Sequence, residues 1–132
     1  MDLDFLDRLK EFLEGSISIP TPISIGTYKE SGHDIAIRPS PSNIDIRYMN
    51  KNKVYAFGFQ ILVHHRENMT AYREIERIRA TLEDLSSDSI TSNNGSFKLI
   101  SMQCTTTPNY VQKTNYGVLW TALFVAEIHI RR

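Results

Sequence analysis

The pattern of hydrophobic and polar positions divides Tyr55–Leu85 into a strand, a short polar break and a helix. Apolar and aromatic side chains occupy every second position of the first part, as they do in a strand: Tyr55, Phe57, Phe59, Ile61 and Val63. After the break at His65–Met69, apolar residues recur at spacings of three and four, which is typical of an amphipathic helix: Ala71, Ile75, Ile78, Leu82 and Leu85. We therefore expect Tyr55–His64 to be the central strand of a sheet, and the helix, capped by Asn68 or Thr70, to pack on it.

A second amphipathic pattern, at the start of the chain, predicts a helix over Asp2–Glu14. Its apolar residues share one face: Phe5, Leu6, Leu9, Phe12 and Leu13. Asp2 is the expected N-cap and Gly15 the expected residue just after the helix, because aspartate and glycine are favoured at those two positions. The polar face is acidic, which favours a helix packed on a sheet over one lying on a membrane surface.

Shorter apolar alternations predict the remaining strands, which are Ile23–Tyr28, His33–Arg38, Ile44–Tyr48, Phe97–Thr106 and Val118–Ile130. The polar turn Asn50–Lys53 predicts a hairpin into the central strand. Ser86–Ser96 is rich in Ser, Asp, Asn and Gly, and we expect a mobile surface loop there. Together the patterns predict a single α+β domain over residues 1–132, with a mostly antiparallel β-sheet packed by two α-helices.

The last predicted strand is apolar on both faces at its middle, where Leu123 and Val125 oppose Ala122, Phe124 and Ala126. Such a strand is either central in the sheet or covered on one face by something outside the chain. The segment before it, Thr107–Tyr116, is longer than a hairpin connection needs. We therefore expect a projecting β-hairpin arm at this segment.

The composition of the chain argues against several classes of function. The chain has 132 residues and a formal net charge of 0, which argues against a nucleic-acid binder. Cys104 is the single cysteine, so that no disulfide can form within the chain, as is usual in a reducing compartment. The acidic start does not resemble a signal peptide, and no apolar run approaches the roughly 18 residues that a membrane span needs.

The sequence carries no motif that points to catalysis, a cofactor or a metal. Among the four histidines, His64 and His65 are adjacent on a predicted strand, and because they face opposite sides they do not readily share a metal ion. We interpret Cys104 as a small packed residue, since no positive charge adjoins it in sequence. One alternative remains open, a small-molecule enzyme or ligand binder with a dispersed site near His33, His64 and Arg38.

Aromatic and arginine side chains at predicted strand ends and loops suggest an interface instead, because these types are enriched where proteins meet. Tyr48, Arg47, Tyr110 and Tyr116 are such residues, although they would equally well cap the ends of the core. The last predicted strand, which is apolar on both faces, adds to this interpretation. The residues that we predict at an interface are Tyr110, Val111, Tyr116, Leu119, Leu123, Val125 and Met102.

Three stretches resemble the small tail-terminator proteins of long-tailed bacteriophages of Gram-positive bacteria, which are often catalogued as minor capsid proteins. They are Asp34–Ser42, Phe59–Val63 followed by Thr70–Tyr72 and its helix, and Thr106–Val111 leading into Trp120–Phe124. Their order extends the resemblance over nearly the whole chain.

The resemblance implies a structural virion protein without enzymatic activity or cofactor, assembled in the host cytoplasm. Such a subunit would form a ring, a hexamer by resemblance, at the head-proximal end of the tail. Its partners would be copies of itself, the tail tube protein and the head–tail connector, with no membrane and no specific nucleic acid. A connector stopper or a true minor capsid protein is the alternative within a virion.

Overall fold

A computed structural model describes residues 4–16, 23–26, 33–40, 47–49, 52–83, 85, 89–93, 95–115 and 117–130. They form two helices, α1 (Phe5–Ser16) and α2 (Asn68–Leu82). The strands are β1 (Ile23–Ile25), β2 (His33–Pro39), β3 (Arg47–Met49), β4 (Asn52–His65), β5 (Phe97–Thr114) and β6 (Gly117–Ile130). The predicted α+β fold, with two helices on a mostly antiparallel sheet, is confirmed.

The strands lie in the order β1-β2-β4-β6-β5, and β3 pairs with the beginning of β4. Only β1 and β2 run parallel, while every other described pair is antiparallel. The predicted central strand is confirmed as β4, since β2 and β6 lie on its two sides. Among the described strands, β1 and β5 lie at the two ends of this order and differ in length and in sequence, and the short β3 lies beside the beginning of β4.

Both helices pack on the same face of the sheet, which we call the helix face. Helix α1 contacts β1 and β2 and reaches β4 and β5 through the ring of Phe5, and α2 contacts β4, β5 and β6. The buried side chains of the helices are those that the periodicity predicts, namely Phe5, Leu9 and Leu13 from α1 and Ala71, Ile75, Ile78 and Leu82 from α2. Beneath them Phe59 and Phe124 stack with ring centroids 5.3 Å apart, which centres the core on β4 and β6.

The helix ends differ from the predicted ones. Gly15 lies inside α1, not beyond it, and Leu85 lies beyond the end of α2. The N-cap of α2 is Glu67, whose side chain makes no capping hydrogen bond. Asn68 is the first helical residue, and its Oδ1 accepts a hydrogen bond of 3.0 Å from Trp120 Nε1. The prediction of Asn68 or Thr70 as the cap was wrong, because both lie inside α2, where Asn68 accepts from Trp120 and the Thr70 hydroxyl donates to the Glu67 carboxylate. Asp2 lies outside the described residues.

The described part of the segment between α2 and β5 is tied to the core and to the start of α1. Ile90 is 2% exposed, and Thr91 forms a β-bridge with Lys98. The Asp4 carboxylate accepts hydrogen bonds from Ser92 Oγ at 2.7 Å, Ser96 Oγ at 3.0 Å and the Asn93 backbone N–H at 2.8 Å. These contacts fix a segment whose polar composition had suggested a mobile loop.

Replacing Asp4 with asparagine is expected to lower the free energy of unfolding by about 1 kcal/mol at neutral pH. Burial by itself raises the pKa of Asp4, but the hydrogen bonds from Ser92, Asn93 and Ser96 outweigh it and hold the pKa below its ordinary value of 3.8. Because the folded-state pKa is the lower one, this stabilisation is present above pH 3.8 and is lost as the pH falls through the folded-state pKa. Urea unfolding of both proteins at several pH values measures the difference.

The matched control is Asp7→Asn, a substitution at an exposed position of helix α1, which begins one residue after Asp4. It should change stability little at any of these pH values. A wild-type advantage over Asp4→Asn that persisted undiminished at the acid end would contradict the assigned role of the carboxylate.

The expected projecting arm is instead part of the sheet. Strand β5 continues through Thr114, so that Tyr110 pairs with Trp120 and Thr114 with Gly117. The same end of β6 pairs on its other side with β4, where Val118 lies opposite His65. The hairpin is present, but it does not project from the sheet, because β4 accompanies β6 almost to the turn. Several register shifts along β5 account for the extra length of this strand.

Candidate interaction surface

The second face of the sheet, which we call the open face, carries no helix among the described residues. A small apolar cluster of Ala36, Leu62 and Leu119 is buried there. Leu123 and Val125 of β6 are half-buried on the same face. The apolar character of both faces of β6 is thus explained in part by its central position, between β4 and β5.

A chain of polar groups crosses the open face, with Asp34 and His64 buried and Thr114 half-buried. His64 Nδ1 lies 3.3 Å from Asp34 Oδ2, and His64 Nε2 lies 2.5 Å from Thr114 Oγ1. The chain connects β2, β4 and β5, although β6 lies between β4 and β5. Gly117, the β6 residue that pairs with Thr114, carries no side chain to separate them. The arrangement therefore fixes the turn end of the β5–β6 hairpin to the middle of the sheet.

The same three residues have the order of an acid, an imidazole and a hydroxyl, which is also the order of a catalytic triad. A general base must come within hydrogen-bond reach of its substrate, whereas His64 is 0% exposed. Arg38 Nε donates to Gln60 Oε1 at 2.7 Å, four residues along β4 from His64. The His33 side chain lies outside the described part. Among the described side chains, the structure does not bring Arg38 and His64 into one cleft, and the geometry favours a structural role for His64.

Three further observations concern metal binding, membrane spans and the thiol of Cys104. In the described part of the chain, no group of three or more His, Cys, Asp or Glu side chains is arranged to hold a metal ion. Neither described helix is long and apolar enough to cross a membrane. Cys104 is half-buried, and burial, the largest effect, raises the pKa of its thiol, which disfavours the reactive thiolate.

Exposed apolar side chains concentrate at the two edges of the sheet. Four of the six large hydrophobic residues that are exposed in the described part lie on the edge strands, namely Ile25 on β1 and Ile100, Tyr110 and Val111 on β5. The other two, Met69 and Tyr72, lie in the first turns of α2. Exposed apolar surface that is confined to particular places marks sites of contact with other molecules.

Tyr72, Trp120 and Tyr110 form an aromatic patch at the β5 edge. Tyr72 and Trp120 have ring centroids 5.2 Å apart, and Tyr110 meets Trp120 edge-on at 6.1 Å. Trp120 donates its indole N–H to Asn68, which fixes the ring between helix α2 and strand β5. The patch thus presents two partly exposed tyrosines on a rigid support, as do the residues that contribute most at protein interfaces.

The predicted interface residues lie in different surroundings. Tyr110 and Val111 are 49% and 45% exposed. Leu119 is buried on the open face, Leu123 and Val125 are half-buried there, and Tyr116 lies outside the described residues. Met102 is 1% exposed and belongs to the main core, so that we withdraw it from the interface set.

The position of Met102 has a physical reason. A register shift between Leu99 and Ser101 changes which β5 residues face the core, so that Leu99 and Met102 are both buried despite a spacing of three. Sequence reasoning also missed Ile25 and Ile100 as exposed residues. Their apolar character was visible, but their exposure depends on which strands form the edges, and no sequence period reports that order.

The fold therefore defines a small α+β subunit with two different sheet edges that expose apolar side chains, a shape suited to assembly. A family model for bacteriophage tail terminator proteins matches residues 13–130. Because the match spans most of the chain, the protein belongs to this family of phage tail structural proteins, as the sequence resemblance predicted. No curated protein matches the chain significantly.

Proposed function

We propose that this protein forms a ring, most simply a hexamer, that caps the tail tube, ends tube growth and offers its other side to the head–tail connector. Membership of the tail terminator family gives the protein its place in the phage tail. The observation that carries the finer proposal is the concentration of exposed hydrophobic side chains at the β1 and β5 edges. These edges are where copies of the chain can join.

The two edges favour a ring over a simple pair. A contact between two different surfaces of the same protein repeats from copy to copy, and it closes into a ring when the rotation between copies divides a full turn. Strand β5 is long and exposes Tyr110, whereas β1 is short and exposes Ile25. An edge strand also presents backbone groups that a neighbouring strand can satisfy.

The remaining parts of the proposal follow from this role. The chain acts as one tail-terminator-like unit over residues 1–132, transforms no substrate and needs no cofactor. Its partners are further copies of itself, the tail tube protein and the connector, with no membrane and no specific nucleic acid. The ring lies at the head-proximal end of the tail and assembles in the host cytoplasm. The Gram-positive host rests on the sequence resemblance alone.

Deleting the gene from the phage tests the proposal. Without a ring to end tube growth, tails should vary widely in length, and heads should accumulate without attached tails. Electron microscopy of the lysate measures both effects, and expression of the intact chain in trans should restore uniform, joined tails. Tails of uniform length in the deletion phage would refute the terminator role. If those tails were uniform but unjoined, the chain would be a connector component.

A further inference from the structure

We propose that Ile25 of one copy pairs antiparallel with β5 of the next copy at Tyr110, so that the sheet continues between neighbours. The partner at this surface is a second copy of the chain. The inference deepens the proposed ring, on which it rests, by naming the residues that join its subunits. Four observations support it. They concern the position of the two segments along the strands, the direction of the strands, the backbone groups of β1, and the face of the sheet on which the side chains lie.

The first observation is that β1 and Tyr110 lie at the same level of the sheet. The pairings place Ile23 beside Ile35, Ile35 beside Val63, Val63 beside Trp120, and Trp120 beside Tyr110. This row runs from β1 through β2, β4 and β6 to β5. Ile23 of a neighbouring copy is thus level with Tyr110, and Ile25 comes opposite Tyr110 when the strands are offset by two residues, about 6.6 Å, which a tilt of the strands against the ring axis supplies.

The second observation concerns strand direction. Strand β1 runs parallel to β2, and each of the steps from β2 to β4, β6 and β5 reverses the direction. Three reversals leave β5 antiparallel to β1. Because the copies of a ring share one orientation, β5 of one copy and β1 of the next must meet as antiparallel strands, the pairing that places hydrogen bonds perpendicular to the strands.

The third observation concerns the backbone of β1. The Gly26 N–H donates to the Ile37 carbonyl of β2 at 2.8 Å. Successive residues of a strand direct their N–H and C=O groups to opposite sides, so that those of Ile25 point away from β2, to the edge. The N–H of Ile23, which also points outward, donates to Glu14 of α1 at 3.2 Å. Helix α1 thus covers the start of this edge, and Ile25 is the residue with an outward N–H and C=O beyond it.

The fourth observation is that Ile25 and Tyr110 lie on the same side of the sheet. Ile23 is buried in the helix-face core, and Ile25, two residues later, has the same orientation and is 40% exposed. Tyr110 contacts Trp120, which in turn contacts Tyr72 of α2, so that its ring also lies on the helix face. The proposed pairing therefore brings two exposed apolar side chains together.

The register shifts on β5 limit the contact to a short segment. One lies between Thr106 and Asn109 and another between Tyr110 and Gln112, on either side of Tyr110. Irregularities of this kind prevent an edge strand from pairing along its whole length. Strand β1 has three residues, so that a short segment of β5 is sufficient for it to pair. The same irregularities disfavour open-ended association through an edge strand of 18 residues.

Disulfide trapping in assembled tails tests the contact. The deletion phage is complemented in trans with the variant Ile25→Cys/Tyr110→Cys, in which Cys104 is also replaced by serine. Directly paired strand residues have Cα atoms about 4.5–5.5 Å apart, within the range of a disulfide. Within one copy the two positions are separated by four strand spacings, about 19 Å, so that any bond must join two copies. Mild oxidation should give a ladder of linked chains on a non-reducing gel, whose highest member reports the subunit number.

The matched control is Ile25→Cys/Ile100→Cys in the same background, because Ile100 is an exposed residue of β5 far from the level of β1. It should remain monomeric. Tails of uniform length that gave only monomers with the first pair, or equal ladders with both pairs, would overturn this contact while leaving the terminator role intact. Tails that were uniform without the protein would instead refute the proposed function.

A proline variant gives an independent reading. Ile25→Pro removes an N–H that points away from β2, and proline is tolerated at such edge positions. The isolated chain should keep its fold, as measured by circular dichroism and urea unfolding, yet fail to restore uniform tails. Ser24→Pro, by the same alternation, removes an N–H directed toward β2 and should destabilise the isolated chain. Normal complementation by a folded Ile25→Pro chain would contradict the backbone pairing.

Discussion

Replacing Gly117 with alanine is expected to lower the free energy of unfolding by about 3 kcal/mol, since it combines backbone strain with a steric clash. Gly117 has a φ of +154°, and an ideal Cβ would lie 2.1 Å from the carbonyl oxygen of His65. The neighbouring atoms are backbone atoms of His65 and Arg66, which cannot move aside as a flexible side chain can. Urea unfolding followed by circular dichroism measures the change.

Gly15→Ala is the matched control. Gly15 lies in the last turn of α1, and no atom lies within 4 Å of the Cβ that alanine would add. Alanine is favoured over glycine in a helix by about 0.5–1 kcal/mol, so that this variant should be as stable as the wild type or slightly more stable. Equal stabilities for the two variants would show that the end of β6 does not pack on the end of β4 as described.

The close approach at Gly117 also bears on function. Strand β6 begins against the end of β4, and Thr114 bonds to His64 across the missing side chain of Gly117. These two contacts hold the turn end of the β5–β6 hairpin, and Tyr110 lies on the same hairpin. A rigid edge loses little conformational entropy when it joins a neighbour, which favours association. The hydrogen bonds of His64 therefore stabilise the β5 edge. This structural role accounts for a histidine that is fully buried.

Much of the fold could be predicted, because a strand or helix that packs on one layer of the core buries side chains at regular intervals, and these intervals are visible in the sequence. The alternation through Phe59 and Ile61 identified β4, and the spacing of Ile75, Ile78 and Leu82 identified α2, since each of these residues is buried on the helix face. The apolar middle of β6 indicated either a central position or a face covered from outside the chain, and the structure places β6 between β4 and β5.

The parts that could not be predicted depend on long-range contacts. The register shifts of β5 break its alternation, which led Met102 to be placed at an interface and Thr107–Tyr116 to be taken for a projecting arm. The polar segment before β5 carries Ser92 and Ser96, and their partner Asp4 is far away in sequence. Ile25 gave no sign of exposure, because only the strand order makes β1 an edge.

Replacing Tyr110 with alanine should abolish the ring while leaving the subunit folded. Tyr110 is 49% exposed, and its described ring contact is with Trp120, so that the free energy of unfolding should fall by less than about 1 kcal/mol. At a contact between copies, an aromatic side chain of this kind contributes about 2 kcal/mol, which corresponds to about a 30-fold weaker contact.

Because every contact in a ring contains the same substitution, each contact loses the same binding free energy and the ring loses the sum. Tails complemented by Tyr110→Ala should therefore be irregular in length in electron micrographs. Ile100→Ala is the control, since Ile100 is a large apolar residue on the same edge strand with a similar exposure of 43%, but it lies away from the level of β1. It should complement as the wild type does. If Ile100→Ala were the more damaging variant, the joining contact would lie at the beginning of β5, and the continuous sheet through Tyr110 would be wrong. If neither variant changed tail length, copies would have to join through surfaces other than the β5 edge.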